Sequence, residues 1–300
     1  GLWGVTMRAT ILILAAAAAA SASPVLGQGS VPDFSGVWRH PSLPGFEPPA
    51  KGPGPVTNTK RRAQDGASDW NMLVGDHTNP ILKPQGAAAV KKYGEVWLSG
   101  VTPRTPAFLC WPMPVPYIFG SFNMQMIQEK DRVTILYGNP DHEIRRVRMN
   151  QQHPKEVTPS WYGDSVGHYE GDTLVIDTVG IRTDRPYAMV DAYGTPYTKA
   201  LHVVERYRLL DYDKAKEGLD RDAKENMRLP QGDIDRTYRG KHLQLEFTVR
   251  DDGAFTTPWT ATITYGRGSN AWDEQVCAEN PTEQYSNRSY DVPTSAKPDF

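Results

Sequence analysis

The segment Gly163–Thr178, "GDSVGHYEGDTLVIDT", decides the fold. Its first five residues have the G-x-S-x-G spacing of a serine-hydrolase nucleophile elbow. That motif needs a strand, a strained turn and then a helix after the serine. Here strand-forming residues continue from Val166 to Glu170, and Gly171-Asp172 turns the chain back. A two-residue loop with glycine first suits a type II′ β-hairpin. Glu170 then faces Thr173, His168 faces Val175, and Val166 faces Asp177. On the other side Tyr169 faces Leu174, Gly167 faces Ile176, and Ser165 faces Thr178.

The two faces of this hairpin differ. Tyr169, Leu174 and Ile176 form an apolar face, which Ser165 joins. Asp164, His168, Glu170 and Asp177 share the opposite face with Val166, Val175 and Val179. His168 and Asp177 are diagonal neighbours within side-chain reach. This second face either meets solvent or lines a mixed pocket. A triad of Ser165 with Asp177 or Asp191 and His202 or His242 keeps a permitted order, but the βα alternation of a hydrolase is missing. "GDS" also opens another esterase class, where it follows an early strand in an α/β fold.

Outward from the hairpin, period-two patterns continue. "MQMIQEKDRVTILYG" predicts two strands around Lys130-Asp131, and "EIRRVRMN" (Glu143–Asn150) a third. "ALHVVERYRLLD" follows, with Val203, Glu205, Tyr207 and Leu209 on one face and His202, Val204, Arg206 and Arg208 on the other. In "HLQLEFTVRD" residues Leu243, Leu245, Phe247 and Val249 share a face. In "PWTATITYG" so do Trp259, Ala261, Ile263 and Tyr265. "VPDFSGVWRH" (Val31–His40) reads as a first strand. Closely spaced strands joined by turns predict a mainly β fold, an antiparallel barrel or curved sandwich with one or two short helices. Pro41–Lys60 reads as a Pro-rich loop and Thr102–Tyr117 as an extended segment. A short helix is expected around Ala87–Tyr93. The charged insertion Asp213–Asp233 reads as a solvated helix or a partner-binding element.

The chain has 300 residues and a net charge of -2, and it shows no basic stripe. Nucleic acid is therefore not an expected partner. Residues 1–22 read as a signal peptide, with 1–6 ahead of the first methionine, an apolar run Ala9–Ala20 and small-x-small at Ala20-Ser21-Ala22. A single β-rich domain over 23–300 is then exported to the periplasm or beyond, with no membrane insertion. The two cysteines, Cys110 and Cys277, are expected to pair in such a compartment or to stay as buried thiols.

The candidate site residues follow from faces that mix charge with apolar groups. Glu205 on an apolar face needs a buried arginine, Arg145 or Arg146, or else acts as an acid or base with raised pKa. Arg145 and Arg146 also read as an anion clamp or as solvated charge. His153, His168, Asp177 and Glu205 form the candidate acid–base set. Trp161, Tyr169 and Tyr207 are candidate ligand contacts alongside the arginines. His142 and His153 lack a recognised metal spacing, and no metal or other cofactor is expected.

"PDFSGVW", a Pro-flanked Cys110, "RVTILYG", "IRRVRMN", the hairpin "YEGDTLVIDT", "LHVVERYRLL" and "TTPWTATI" follow one another in order. As an ordered set they resemble a large group of exported bacterial proteins with no assigned activity. Tyr169 stands where the group has Trp, Asp164 where it tends to have His, and Cys277 is followed by Ala278-Glu279. The strand rhythm is similar to that of lipocalin-type barrels. The aromatics and arginines lead to the expectation of an exported barrel that holds a small aromatic or sugar-like ligand. The alternative is a cofactor-independent acid–base enzyme, a lyase, isomerase or hydrolase, working in the same pocket.

Overall fold

A computed structural model describes residues 31–41, 43–120, 123–138, 143–225 and 234–268 of the chain. The expected signal peptide, Cys277 and hence its pairing with Cys110, and residues 226–233 of the insertion all lie outside the described residues. Among those described, nine strands close into one barrel in sequence order. They are β1 (Gly36–Arg39), β2 (Asn123–Gln128), β3 (Arg132–Tyr137), β4 (Glu143–Met149), β5 (Asp164–Glu170), β6 (Thr173–Val179), β7 (His202–Leu210), β8 (His242–Arg250) and β9 (Trp259–Arg267). Two helices lie outside the wall, α1 (Pro84–Leu98) and α2 (Tyr212–Glu225).

Alternation dictates the core. Leu243, Leu245, Phe247 and Val249 of β8 are fully buried, as are Ala261, Ile263 and Tyr265 of β9. Each of the Leu, Val, Ile and Phe side chains contributes about 1.5–3 kcal/mol on leaving water. The β5–β6 hairpin has the register read from the sequence, from Glu170↔Thr173 to Ser165↔Thr178. Gly171 takes φ +61°, as the first position of the turn requires.

One pairing corrects the all-antiparallel expectation: β4 and β5 run parallel, Val147 opposite Ser165 and Met149 opposite Gly167. Parallel neighbours need a crossover, and 150–163 supplies it along the outside of the barrel. The two glycines of G-x-S-x-G seat β5 against its two neighbours, Gly163 toward β6 and Gly167 toward β4. Gly163 has φ +70°, and a Cβ there would lie 2.4 Å from the Val179 carbonyl oxygen. A Cβ on Gly167 would lie 2.9 Å from both Met149 Sδ and Val147 Cγ1. The motif is a packing solution for β5 between β4 and β6.

Three expectations about the connections change. Thr102–Tyr117 is not simply extended: it contains a 3-10 turn at Ala107–Leu109, and a second, Tyr117–Gly120, begins at its end. The first helix runs well past Ala87–Tyr93 in both directions, with a proline in its first turn. The insertion helix is not solvated all round, because Ala215 and Asp222 of α2 are buried. The Pro-rich loop is regular at one point. Glu47 exchanges two backbone hydrogen bonds with Thr262, 3.1 and 2.9 Å, on the half of β9 that short β1 leaves open.

Candidate functional site

The barrel interior does not hold the expected ligand contacts in a free state. Arg145 is 1% exposed and Glu205 0%, and they form an ion pair of 2.7 Å. A second guanidinium hydrogen bond reaches Glu205 Oε2 at 3.0 Å. Arg145 also donates to Tyr137 Oη, Ser165 Oγ and Thr178 Oγ1, each at 3.1 Å. The Tyr207 hydroxyl donates to Glu205 at 2.9 Å. Burial alone would lower the Arg145 pKa, but the Glu205 carboxylate outweighs it and holds the guanidinium charged. These residues turn on one another, so the reading of Arg145, Glu205 and Tyr207 as ligand or acid–base groups gives way to a core network. Ser165 belongs to that network and is no nucleophile. Arg146 points the other way and is exposed, so it clamps nothing beside Glu205. Tyr169 packs against the core and accepts a hydrogen bond from Gln128 Nε2 at 2.9 Å.

The outer face of β4 to β7 gathers a different set. The Arg148 guanidinium donates to both oxygens of Asp164, at 2.9 and 2.8 Å. His153 Nδ1 lies 2.6 Å from Asp164 Oδ2, and its Nε2 lies 3.0 Å from Asp177 Oδ1. His202 Nε2 lies 2.8 Å from the same Asp177 oxygen. Five residues from β4, the crossover, β5, β6 and β7 thus form one row of alternating sign. The crossover forced by the parallel pair brings His153 to it. Both ring nitrogens of His153 face carboxylates, and a neutral imidazole has only one N–H. Burial pushes the Asp177 carboxyl up, but hydrogen bonds from His202 and His153 outweigh this and hold its pKa below the ordinary value.

Of the acid–base set, the structure brings His153 and Asp177 together and separates the others. Glu205 is inside the barrel. His168 does not meet Asp177; it pairs with Glu170 at 3.0 Å, half-exposed, near the turn. Asp177 is already held by two other histidines. Besides Arg148, the members left out of the candidate site set are His202, named only for the rejected Ser165 triad, and Asp164. Both lie on outward faces, and the diagonal of His202 with Asp177 across β6–β7 was the available signal.

Beyond the row lies an aromatic group. Trp161 of the crossover precedes Asp164 by three residues, which keeps their backbones within about 10 Å. Its ring carries the Arg182 guanidinium at 4.8 Å from the centroid. Trp111 stands 6.1 Å from Trp161 and 6.5 Å from Tyr187, with tilts of 50° and 51°. All three rings are partly exposed. Tyr187 itself has φ +63°, and Cys110, just before Trp111, has φ +54°. Left-handed backbone at non-glycine residues is strained and clusters at functional sites.

Comparison of the chain with protein-family models, curated proteins and solved structures gives no match. Fold and site therefore define a class only: a closed nine-stranded mixed barrel with a His/Asp/Arg row and an aromatic platform on its outer wall. Among the described residues, no group of three or more His, Cys, Asp or Glu side chains is arranged to hold a metal ion. None of the described helices is long and apolar enough to cross a membrane.

Proposed function

We propose that the chain is an exported small-molecule-binding barrel whose ligand, aromatic or sugar-like, carries a hydroxylated ring. The ligand lies on the outer wall, stacked on Trp161, Trp111 and Tyr187, with its hydroxyls turned toward the Asp164–His153–Asp177–His202 row. The observation that carries this reading is the juxtaposition of three partly exposed rings with a row of hydrogen-bonding groups drawn from five segments. Ring stacking supplies affinity and the few convergent polar groups supply orientation. A Cys110–Cys277 disulfide beside Trp111 would fix the platform in an oxidising compartment.

Titration with methyl glycosides in one arm and simple phenols in the other tests the proposal, read by tryptophan fluorescence. Saturable binding in either arm supports it and names the ring type. No binding in either arm would overturn it.

One observation favours a second reading, acid–base catalysis. His202 gives Nε2 to Asp177, and its Nδ1 has no hydrogen bond among the described residues. An imidazole oriented by a carboxylate in this way presents a base to a bound substrate. Under this reading His202→Ala abolishes turnover of the bound ligand while affinity stays within about threefold. Ligand recovered unchanged after long incubation with the intact protein would leave binding alone.

A further inference from the structure

A cavity of about 250 Å³ lies away from the barrel bore and from the row. Its walls are the strap Leu43–Pro48, the loop carrying Arg61 and Ser68, and the C-terminal end of α2. Leu43, Pro44, Phe46, Pro48 and Tyr193 give it an apolar side. That side is firm: Phe46 sits edge-on against Phe247 at 4.9 Å, and Tyr193 is buried.

The charged side is unbalanced. Arg61 pairs with Glu225 at 3.2 Å. Arg221 pairs with Glu47 and also contacts Asp222. Two guanidiniums thus face three carboxylates around one cavity. Arg62 beside it does not redress the balance, because Asp65 meets its charge at 2.8 Å. Asp222 is 1% exposed, and its Oδ2 has no hydrogen-bond partner among the described residues. Burial pushes the Asp222 pKa up to about 6, so the surplus charge is present at neutral pH. Glu47 and Glu225 keep 29% and 21% of their side chains exposed and are reachable from the cavity.

We propose that this cavity is a second binding site, for a small organic cation. Its primary ammonium is met by Glu47 and Glu225, with Asp222 behind them, and its apolar body lies against Phe46, Pro48 and Tyr193. An anion would have to displace a carboxylate from each arginine. A neutral compound would leave the surplus charge unmet. The volume, at the low end for organic ligands, calls for a compact one.

The test is calorimetric titration of the full chain at pH 7.5 with phenethylamine, 2-phenylethanol and phenylacetate. These share one body and differ in charge. The amine is expected to bind about tenfold more tightly than the alcohol, and phenylacetate more weakly than both. Two charge variants act in opposite directions. Glu47→Gln removes the surplus and weakens the amine about fivefold, whereas Arg61→Gln enlarges it and tightens the amine. Tightening cannot come from damaged folding, so the pair remains decisive if either variant is less stable. The proposal is overturned if the alcohol or carboxylate binds as well as the amine, if none binds, or if both variants shift the amine in the same direction or not at all.

Discussion

Arg145 of β4 and Glu205 of β7 meet inside the barrel through hydrogen bonds of 2.7 and 3.0 Å, with neither side chain more than 1% exposed. Removing one partner strands the other charge in the core. Glu205→Gln should therefore cost about 3–5 kcal/mol in urea unfolding. The double change Arg145→Met with Glu205→Leu removes both charges and should recover most of that loss. A Glu205→Gln protein as stable as the parent would show that the pair is not what holds these strands together.

Asp191 should make the protein less stable as pH rises. It is buried, and burial pushes its pKa up to about 6, further than hydrogen bonds from Thr195 and from the Tyr193 amide pull it down. Its Oδ1 accepts from the N–H groups of Tyr193 and Thr195, at 2.9 and 3.2 Å. The folded pKa lies above the unfolded one, so the proton is held more tightly in the folded state. That contribution is complete below about pH 4 and is lost as pH rises through about 6. Asparagine keeps the Oδ1 acceptor without the charge. Asp191→Asn should gain roughly 3 kcal/mol relative to the parent at pH 8, and little at pH 4. Denaturant melts of both proteins at the two pH values give the comparison, and an equal effect at both would refute it.

His153 ties the crossover to the wall from a site that is 24% exposed. Exposed ion pairs contribute little, so His153→Ala should change global stability by less than about 1 kcal/mol. The local effect should be larger. Hydrogen exchange at the Ser160 and Arg182 amides, which bond across the crossover to Gly180 and Ser160, should accelerate about tenfold or more. Unchanged exchange at both amides would mean that the row does not anchor the crossover.

The barrel was legible because its code is local. Period-two alternation in β8 and β9, and one glycine-led turn in β5–β6, specify which side chains enter the core. Glu205 was readable as a charge needing a partner, since a carboxylate between Val203 and Tyr207 has to find one. The parallel β4–β5 pair was not readable. It depends on where Gly167 lets the chain approach Val147 and Met149, a contact that no alternation pattern encodes. The row was legible only in part, as His153 and Asp177, for the same reason. His153 lies on a connection without periodicity, and its place between Asp164 and Asp177 follows from the crossover. His168, the nearer histidine in sequence, was drawn instead to Glu170.

The central claim is that a ligand with a hydroxylated ring lies on the Trp161 platform beside the His/Asp row. Its most direct test is the dissociation constant of the tightest glycoside or phenol for the parent protein, Trp161→Ala and Asp177→Asn, by calorimetry. Binding should weaken about tenfold or more in each variant, because one loses stacking and the other replaces a charged acceptor with a neutral amide. Parental affinity in both variants would place the ligand elsewhere and contradict the claim.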